Sequence, residues 1–149
     1  MLLSAGCEYA IQALLYLESI EQDELKTVAS IAKETSIPPS FLAKIVQRLV
    51  AEGVLVSGKG PGGGVALARP ASEITLLDIV QAIDGLGFKS QCVLGFPDCN
   101  DKVPCPVHSY WGELREDIAH MFAAKSLKDF ASEVTPAVHR RLRVGRKKR

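Results

Sequence analysis

Four residues that bind metals well lie close together in the second half of the chain. They are Cys92, Cys99, Cys105 and His108, with the spacing Cys-x6-Cys-x5-Cys-x2-His. The residues between them include glycine, proline and aspartate, which is typical of an irregular loop. Because such a loop bends freely, it can bring three thiolates and an imidazole to one point. The segment therefore predicts a metal site.

Zinc and iron–sulfur clusters both accept this set of ligands. Zinc takes three cysteines and one histidine in a closed tetrahedral site. Iron–sulfur clusters are held by thiolates, some of which imidazole can replace. The ligand types alone do not separate these alternatives, and ordinary buried cysteines or a disulfide with one cysteine left over also fit. The fourth cysteine, Cys7, lies in a helical pattern beside Glu8 and is assigned no role.

Composition indicates a cytoplasmic globular protein. Of its 149 residues, 47% are hydrophobic, enough for one domain with a core, or one domain with an appended element. No apolar run approaches the ~20 residues needed to cross a bilayer. The first residues lack the basic start of a signal peptide and include Glu8. We expect no membrane contact and a compartment where cysteines bind metals more often than they form disulfides.

Two helical patterns separated by a tight break precede the cysteines. Thr27 can cap a helix over 28–35, Ser-Ile-Pro-Pro at 36–39 interrupts it, and a second helix runs from Ser40 to about Glu52. This pattern predicts a helix-turn-helix, whose second helix enters the DNA major groove. Residues on its polar face can contact base edges or phosphates. These candidates are Ser40, Phe41, Lys44, Gln47 and Arg48.

A glycine-rich segment follows, and it predicts a β-hairpin. Val54 and Val56 precede the glycines, and Val65 and Leu67 follow them, at alternate positions. A tip without bulky side chains lets backbone N–H groups approach a phosphate closely. A helix-turn-helix followed by such a hairpin is a winged helix. The tip residues expected to contact DNA are Lys59, Gly60, Gly62 and Gly63.

The same segment nearly matches a nucleotide-binding loop, but we interpret it otherwise. Residues 53–59 fit the pattern G-x-x-x-x-G-K, yet Gly60 stands where a magnesium-binding serine or threonine is needed. Residues 54–57 are also typical of a strand rather than a phosphate loop. No convincing catalytic set of serine, histidine and aspartate occurs elsewhere. We expect neither an enzyme nor a small-molecule substrate.

The remaining patterns complete a mostly helical fold with a small β-hairpin. Thr75 begins a helix with a capping box that ends at Gly85, and a long helix runs from about Ser109 to Ala124. The apolar residues of the long helix predict self-association, or else packing on its own domain. We therefore expect a winged helix-turn-helix domain (1–85), a cysteine-rich loop (86–108), a dimerisation helix with a short following helix (109–135) and a disordered basic tail (136–149). The apolar residues are Trp111, Leu114, Ile118, Met121 and Phe122.

Positive charge is concentrated at the C-terminus. Residues 140–149 contain seven of the 18 lysines and arginines and no acidic residue, so the rest of the chain is net acidic. Such a tail is either a solvated end or an arm that attracts nucleic acid.

Several stretches together resemble the Rrf-type bacterial winged-helix regulators, a group that includes IscR and NsrR. They are SAGCEYAIQALLYL near the start, the helix-turn-helix, GKGPGGGVAL, ITLLDIVQAIDG, the three cysteines and CPVHSYW, and they cover about residues 1–135. The resemblance implies a homodimer that binds palindromic promoter DNA. It also implies a [2Fe–2S] or [4Fe–4S] cluster bound by three cysteines, with which the protein senses redox state, nitric oxide or iron–sulfur supply.

By this resemblance, Cys92, Cys99 and Cys105 are cluster ligands. The fourth is His108, as in the IscR branch, or Glu8 donated by the partner subunit, as in the NsrR branch. We favour His108 and a [2Fe–2S] cluster. The interval between the first two cysteines is one residue longer than is usual in IscR-like proteins. The alternatives are a zinc-stabilised nucleic-acid-binding protein and a cluster-free regulator controlled by its thiols or by a partner.

Overall fold

The computed structural model describes residues 2–20 and 24–138. Within these residues the chain forms six α-helices, one two-stranded antiparallel sheet and two short 3-10 turns. This confirms the predicted class, a mostly helical fold with a small β-hairpin. The elements are α1 (Ala5–Glu18), α2 (Val28–Thr35), α3 (Pro39–Ala51), β1 (Leu55–Gly58), β2 (Gly64–Leu67), α4 (Leu76–Asp84), α5 (His108–Ala124) and α6 (Leu127–Glu133), with 3-10 turns at Ala71–Glu73 and Gly87–Lys89.

Helices α2 and α3 form the predicted helix-turn-helix. The Thr27 hydroxyl caps α2 by accepting from the Ser30 N–H at 3.1 Å. Ser36 turns the chain in the left-handed region, with φ of 59°. Pro39 is the first residue of α3. The fixed φ of proline suits a helix start, and a backbone N–H at this position would have no partner within the helix. The four residues of the predicted apolar stripe are buried: Leu42, Ile45, Val46 and Leu49.

The predicted hairpin is present, but its buried face begins at a different residue. Gly53 ends α3 with φ of 72°, and the Val54 N–H donates to the Leu49 carbonyl at 2.9 Å. This turn carries Val54 into the core before the strand begins, so the strand's alternation starts at Leu55. Leu55 is therefore buried, whereas Val56 is 47% exposed.

The wing is fixed to the chain before α2 by a single backbone bridge. Lys26 and Val65 exchange both N–H···O bonds, at 3.0 and 2.8 Å. The neighbouring Gly64 has φ of 144°, and a Cβ there would lie 2.4 Å from the Lys26 carbonyl oxygen. Glycine is therefore required at this position by the close approach of the two backbones.

The C-terminal part of the described chain returns to the winged helix. Thr75 and Asp78 form the predicted capping box of α4, and Gly85 ends that helix with φ of 73°. The Leu127 N–H donates to the Ile74 carbonyl at 2.7 Å, and the Leu127 side chain is fully buried. The winged-helix domain thus holds both ends of the segment that runs from Gly85 to the start of α5.

Helix α5 begins at His108, one residue earlier than predicted, and its apolar face is only partly buried. Phe122 is buried in the core, Ile118 is half-buried against it, and Trp111 is half-buried. Leu114 and Met121 are 55% and 54% exposed. The helix therefore packs on its own domain, as one alternative held, and also presents an apolar row to the surface.

Within the described ranges, no helix has both the length and the hydropathy needed to cross a bilayer. The basic run at 140–149 lies outside these ranges.

Candidate metal centre and DNA-contacting surface

The cysteine segment is anchored at each end by α5. The Trp111 indole N–H donates to the Gln91 carbonyl at 2.8 Å, which fixes the backbone beside Cys92. The His108 N–H donates to the Cys105 carbonyl at 3.0 Å, so the third cysteine and the histidine share one turn at the helix start. Residues far apart in sequence are thereby held near one another.

All four predicted ligands line the same cavity. Cys92, Cys99, Cys105 and His108 surround a space of about 460 Å³ together with Phe96 and other loop residues. All four cysteines of the chain are free. Cys92 is buried, while the other three ligands are half-buried. The fold thus brings together the four side chains that their spacing in the sequence indicated.

Within this cavity the ligands form two close pairs. The Sγ atoms of Cys92 and Cys105 are 3.9 Å apart, and Cys99 Sγ lies 3.4 Å from His108 Nδ1. Two sulfur ligands at ~2.3 Å from one tetrahedral metal are about 3.8 Å apart, so each pair has a spacing that suits one metal ion. In the described part of the chain, however, no three His, Cys, Asp or Glu side chains are close enough to hold one ion.

The histidine ring is oriented by a carboxylate that the sequence analysis missed. His108 Nε2 lies 2.9 Å from Asp101 Oδ1. The Asn100 side chain accepts from the N–H groups of Lys102 and Val103, and this turn presents the aspartate. A carboxylate on one ring nitrogen fixes the tautomer that leaves the other nitrogen free to bind a metal. Here the free nitrogen is Nδ1, on the Cys99 side.

Backbone groups around Cys92 favour its ionised form. The Leu94 N–H holds the pKa of the Cys92 thiol below its ordinary value, and burial opposes this effect. The N–H groups of Phe96 and Gly95 and the Cys105 side chain lower the pKa further. Since a thiolate is the form that binds metal, these surroundings fit a ligand.

Cys7, which was assigned no role, and Glu8, the alternative fourth ligand, lie on α1. Burial raises the pKa of the Cys7 thiol to about 12, and the charges of Asp84 and Glu8 add to this shift. Cys7 is therefore a buried thiol, as expected for a residue with no metal role. Glu8 is half-buried on α1 and is not among the residues that line the cysteine cavity.

The residues predicted to contact DNA form an exposed surface on α3 and the wing. Phe41 is 45% exposed and meets the Tyr9 ring edge-on, with 5.4 Å between ring centres. At the wing tip the Gly63 N–H donates to the Gly60 carbonyl at 2.9 Å, and Gly60 has φ of 90°. Gly63 is half-buried, and the other predicted contacts are exposed: Ser40, Phe41, Lys44, Gln47, Arg48, Lys59, Gly60 and Gly62.

Residues 53–59 do not form a nucleotide-binding loop. They run from the end of α3 into β1, and a glycine-rich turn rather than a helix follows them. No helix N-terminus therefore faces the position that phosphates would occupy.

Arg69 joins the wing to both neighbouring helices, a role that no sequence pattern revealed. Its guanidinium donates to the Gly53 carbonyl at 3.0 Å, to the Glu73 carbonyl at 3.2 Å and to the Asp78 carboxylate at 3.2 Å. Asp78 is also half of the α4 capping box. One side chain thus sets the wing against the ends of α3 and α4.

A second cavity connects α3 with the cysteine segment. Its volume is about 940 Å³, and its walls include Phe41, Lys44 and Arg48 of α3 on one side. Cys92 and Trp111 belong to the other side. A movement of the backbone around Cys92 therefore changes a space that α3 also borders.

Comparison with known proteins identifies the class. The family model of Rrf2, described as an iron-dependent transcriptional regulator, matches residues 3–133. The chain belongs to the Rrf2 family of DNA-binding transcriptional regulators.

Curated relatives cover most of the chain. A protein of Aquifex aeolicus (strain VF5), provisionally named an HTH-type transcriptional regulator, is 37% identical over 131 residues, which are 87% of this chain and 90% of that protein. The HTH-type transcriptional regulator IscR of Xenorhabdus nematophila is 30% identical over 129 residues, 87% of this chain and 78% of that one. These relatives are regulators and not enzymes.

Solved structures show the same fold. CymR, the global cysteine regulator of B. subtilis, superposes with a TM-score of 0.74 at 21% identity, over 87% of this chain and 95% of that one. T. potens IscR superposes with a TM-score of 0.71 at 21% identity, over 91% and 89%. Both likenesses confirm the winged-helix architecture.

Proposed function

We propose that this regulator holds an iron–sulfur cluster through Cys92, Cys99, Cys105 and His108, and that the cluster senses redox state, nitric oxide or iron–sulfur supply. The observation that carries the proposal is the shared cavity of about 460 Å³ with its two close ligand pairs. The relatives named IscR support the same assignment. When bound, the cluster supplies one-electron chemistry to the site.

The paired arrangement favours a [2Fe–2S] cluster. In such a cluster each iron takes two protein ligands, which matches the 3.9 Å sulfur pair and the 3.4 Å sulfur–nitrogen pair. In a [4Fe–4S] cluster each ligand has an iron to itself, so no two ligands need lie so close. A single zinc ion needs all four ligands within mutual reach, and the described residues offer only pairs. Zinc is therefore the weaker alternative.

The residues around the site connect the proposed metal centre with α3, the helix proposed to bind DNA. Cys92 adjoins the backbone that Trp111 holds through the Gln91 carbonyl, and it borders the cavity of about 940 Å³. Cys92 would be one of the residues that hold the cluster, and without that bond this backbone would be free to move. Because Phe41 and Lys44 line the same cavity, the movement alters how α3 meets the major groove.

The protein acts as a homodimer on double-stranded promoter DNA. Tyr110, Leu114 and Met121 leave an apolar row exposed on α5, and such a row is typical of an interface. Two winged helices held by one interface read half-sites about 34 Å apart.

The first test is the visible spectrum of protein purified without oxygen, together with iron, sulfide and zinc analysis. We expect iron–sulfur absorption in the wild type and its loss in Cys99→Ser. Cys7→Ser is the matched control and should keep the colour, because Cys7 lies away from the cavity. A colourless protein that contains zinc contradicts the cluster and supports the zinc alternative.

A thiol-controlled regulator is the second candidate, and the 3.9 Å Cys92–Cys105 pair favours it. With hydrogen peroxide as oxidant, the two thiols form one disulfide, and the peroxide is reduced to two waters. A metal-free wild type whose peptides are joined at Cys92 and Cys105, with Cys99 still free, supports this candidate. Random pairing among the three cysteines contradicts it.

A further inference from the structure

Arg115 reaches the cysteine cavity from α5 without being part of the ligand motif. It lies seven residues after His108, two helical turns along the same face. Its Nη1 donates to the Cys99 sulfur at 3.4 Å. Its Nε is buried and has no hydrogen-bond partner among the described residues. The guanidinium is thus partly withdrawn from water beside one ligand.

The charge of Arg115 needs an anion at this point. The ion pairs found within residues 2–20 and 24–138 do not include it. A guanidinium stays charged in proteins, and a partly buried charge is unfavourable unless an opposite charge lies beside it. A neutral thiol is only a weak acceptor. A metal-bound Cys99 is a thiolate, which accepts this hydrogen bond and balances the charge.

We propose that Arg115 is a positioning residue that stabilises Cys99 as a cluster-bound thiolate and raises the reduction potential of the cluster. The inference rests on the proposed function. Hydrogen bonds to ligand sulfurs and nearby positive charge favour the reduced cluster, which carries one more negative charge. Cys99 Sγ also lies 3.4 Å from His108 Nδ1, so Arg115 donates to the sulfur of this ligand pair.

Three variants separate the effect of Arg115 from a general loss of charge. Arg115→Gln removes both the positive charge and the guanidinium N–H donors. Arg115→Lys keeps the positive charge but lacks the guanidinium group. Lys102→Gln is the matched control, because it removes one positive charge from an exposed side chain in the same segment. The reduction potential is followed by visible absorption during a redox titration, and the cluster-loss rate by adding an iron chelator.

We expect a more negative potential in Arg115→Gln and cluster loss about 10-fold faster, the effect typical of removing a residue that supports a metal ligand. Arg115→Lys should lie between this variant and the wild type, and Lys102→Gln should match the wild type. Circular dichroism checks that α5 remains helical.

Two outcomes overturn the proposal. In the first, Arg115→Gln remains folded and matches Lys102→Gln in both potential and cluster-loss rate. In the second, used if Arg115→Gln unfolds, Arg115→Lys matches the wild type in both measurements. A wild type without iron–sulfur absorption overturns the proposed function as well. A coloured wild type with unshifted variants overturns the role of Arg115 alone.

Discussion

Cys7 and Cys92 are both buried, yet their surroundings act on the two thiols in opposite directions. The apolar core and the charges of Asp84 and Glu8 raise the pKa of Cys7 to about 12. The Leu94 N–H lowers the pKa of Cys92. A thiol whose pKa is raised on folding contributes stability below its unfolded pKa, and this contribution is lost as pH rises towards 12. The two residues therefore differ in reactivity as well as in position.

This difference predicts selective alkylation of the metal-free, reduced protein at pH 8. We expect iodoacetamide to modify Cys92 and to leave Cys7 intact, because only the thiolate reacts and the pKa of Cys92 is lowered while that of Cys7 is raised to about 12. Peptide mass spectrometry measures the modification at each site. Denatured protein is the control and should react at all four cysteines. Modification of Cys7 at the rate of Cys92 in the folded protein would contradict the assigned environments.

The sequence predicted which side chains line the cysteine cavity better than it predicted their surroundings. Spacing and loop composition indicated Cys92, Cys99, Cys105 and His108, since a short irregular segment can bring them together. The contacts of Arg115 and Asp101 depend on how α5 and the Asn100 turn lie in space. No spacing rule contains that information, so these partners were not predicted.

Among the helices and strands, we propose that α3 and the wing have different roles in DNA recognition. The side chains of α3 would enter the major groove, whereas the wing tip would offer one charge and backbone N–H groups to phosphates. Lys59→Ala should weaken binding to all sequences about equally and reduce the salt dependence. Lys44→Ala should instead change the preference among sequences. Binding is measured by fluorescence anisotropy on a panel of operators at several salt concentrations.

Lys33→Ala is the matched control, because it removes an equal charge from the exposed side of α2. This control should leave the sequence preference unchanged. Identical preference profiles for Lys59→Ala and Lys44→Ala would contradict the division between wing and helix.

Local patterns predicted the helices and the hairpin but not every buried face. The alternation of Val54 and Val56 indicated a strand, yet the turn at Gly53 shifts the buried position to Leu55. The period of α5 indicated a helix, but period alone does not tell which apolar side chains meet the chain's own core. Phe122 does so, whereas Leu114 remains exposed.

For the molecule as a whole, we propose that the exposed row on α5 forms the interface between two copies. Leu114→Glu places a charge in the middle of this row and should produce a monomer, because a buried unpaired charge is strongly unfavourable. The fold should survive, since Leu114 is 55% exposed. Light scattering after gel filtration measures the mass, and affinity for a paired operator should fall with dimerisation.

Ser72→Glu is the matched control for this experiment, because it adds the same charge at an exposed site outside α5. It should keep the wild-type mass and affinity. A folded Leu114→Glu variant with the wild-type mass would contradict the proposed interface.

The fixed ends of the cysteine segment have a consequence for the history of such proteins. Gly85 ends α4, and the bridge between Thr75 and Ser126 joins the chain before α4 to the chain after α5. Insertions between these anchors need not disturb the winged helix, because doubling the length of a loop costs only about 0.6 kcal/mol in closure entropy. A lineage can therefore acquire a new signal by altering this one segment while it inherits the same operator.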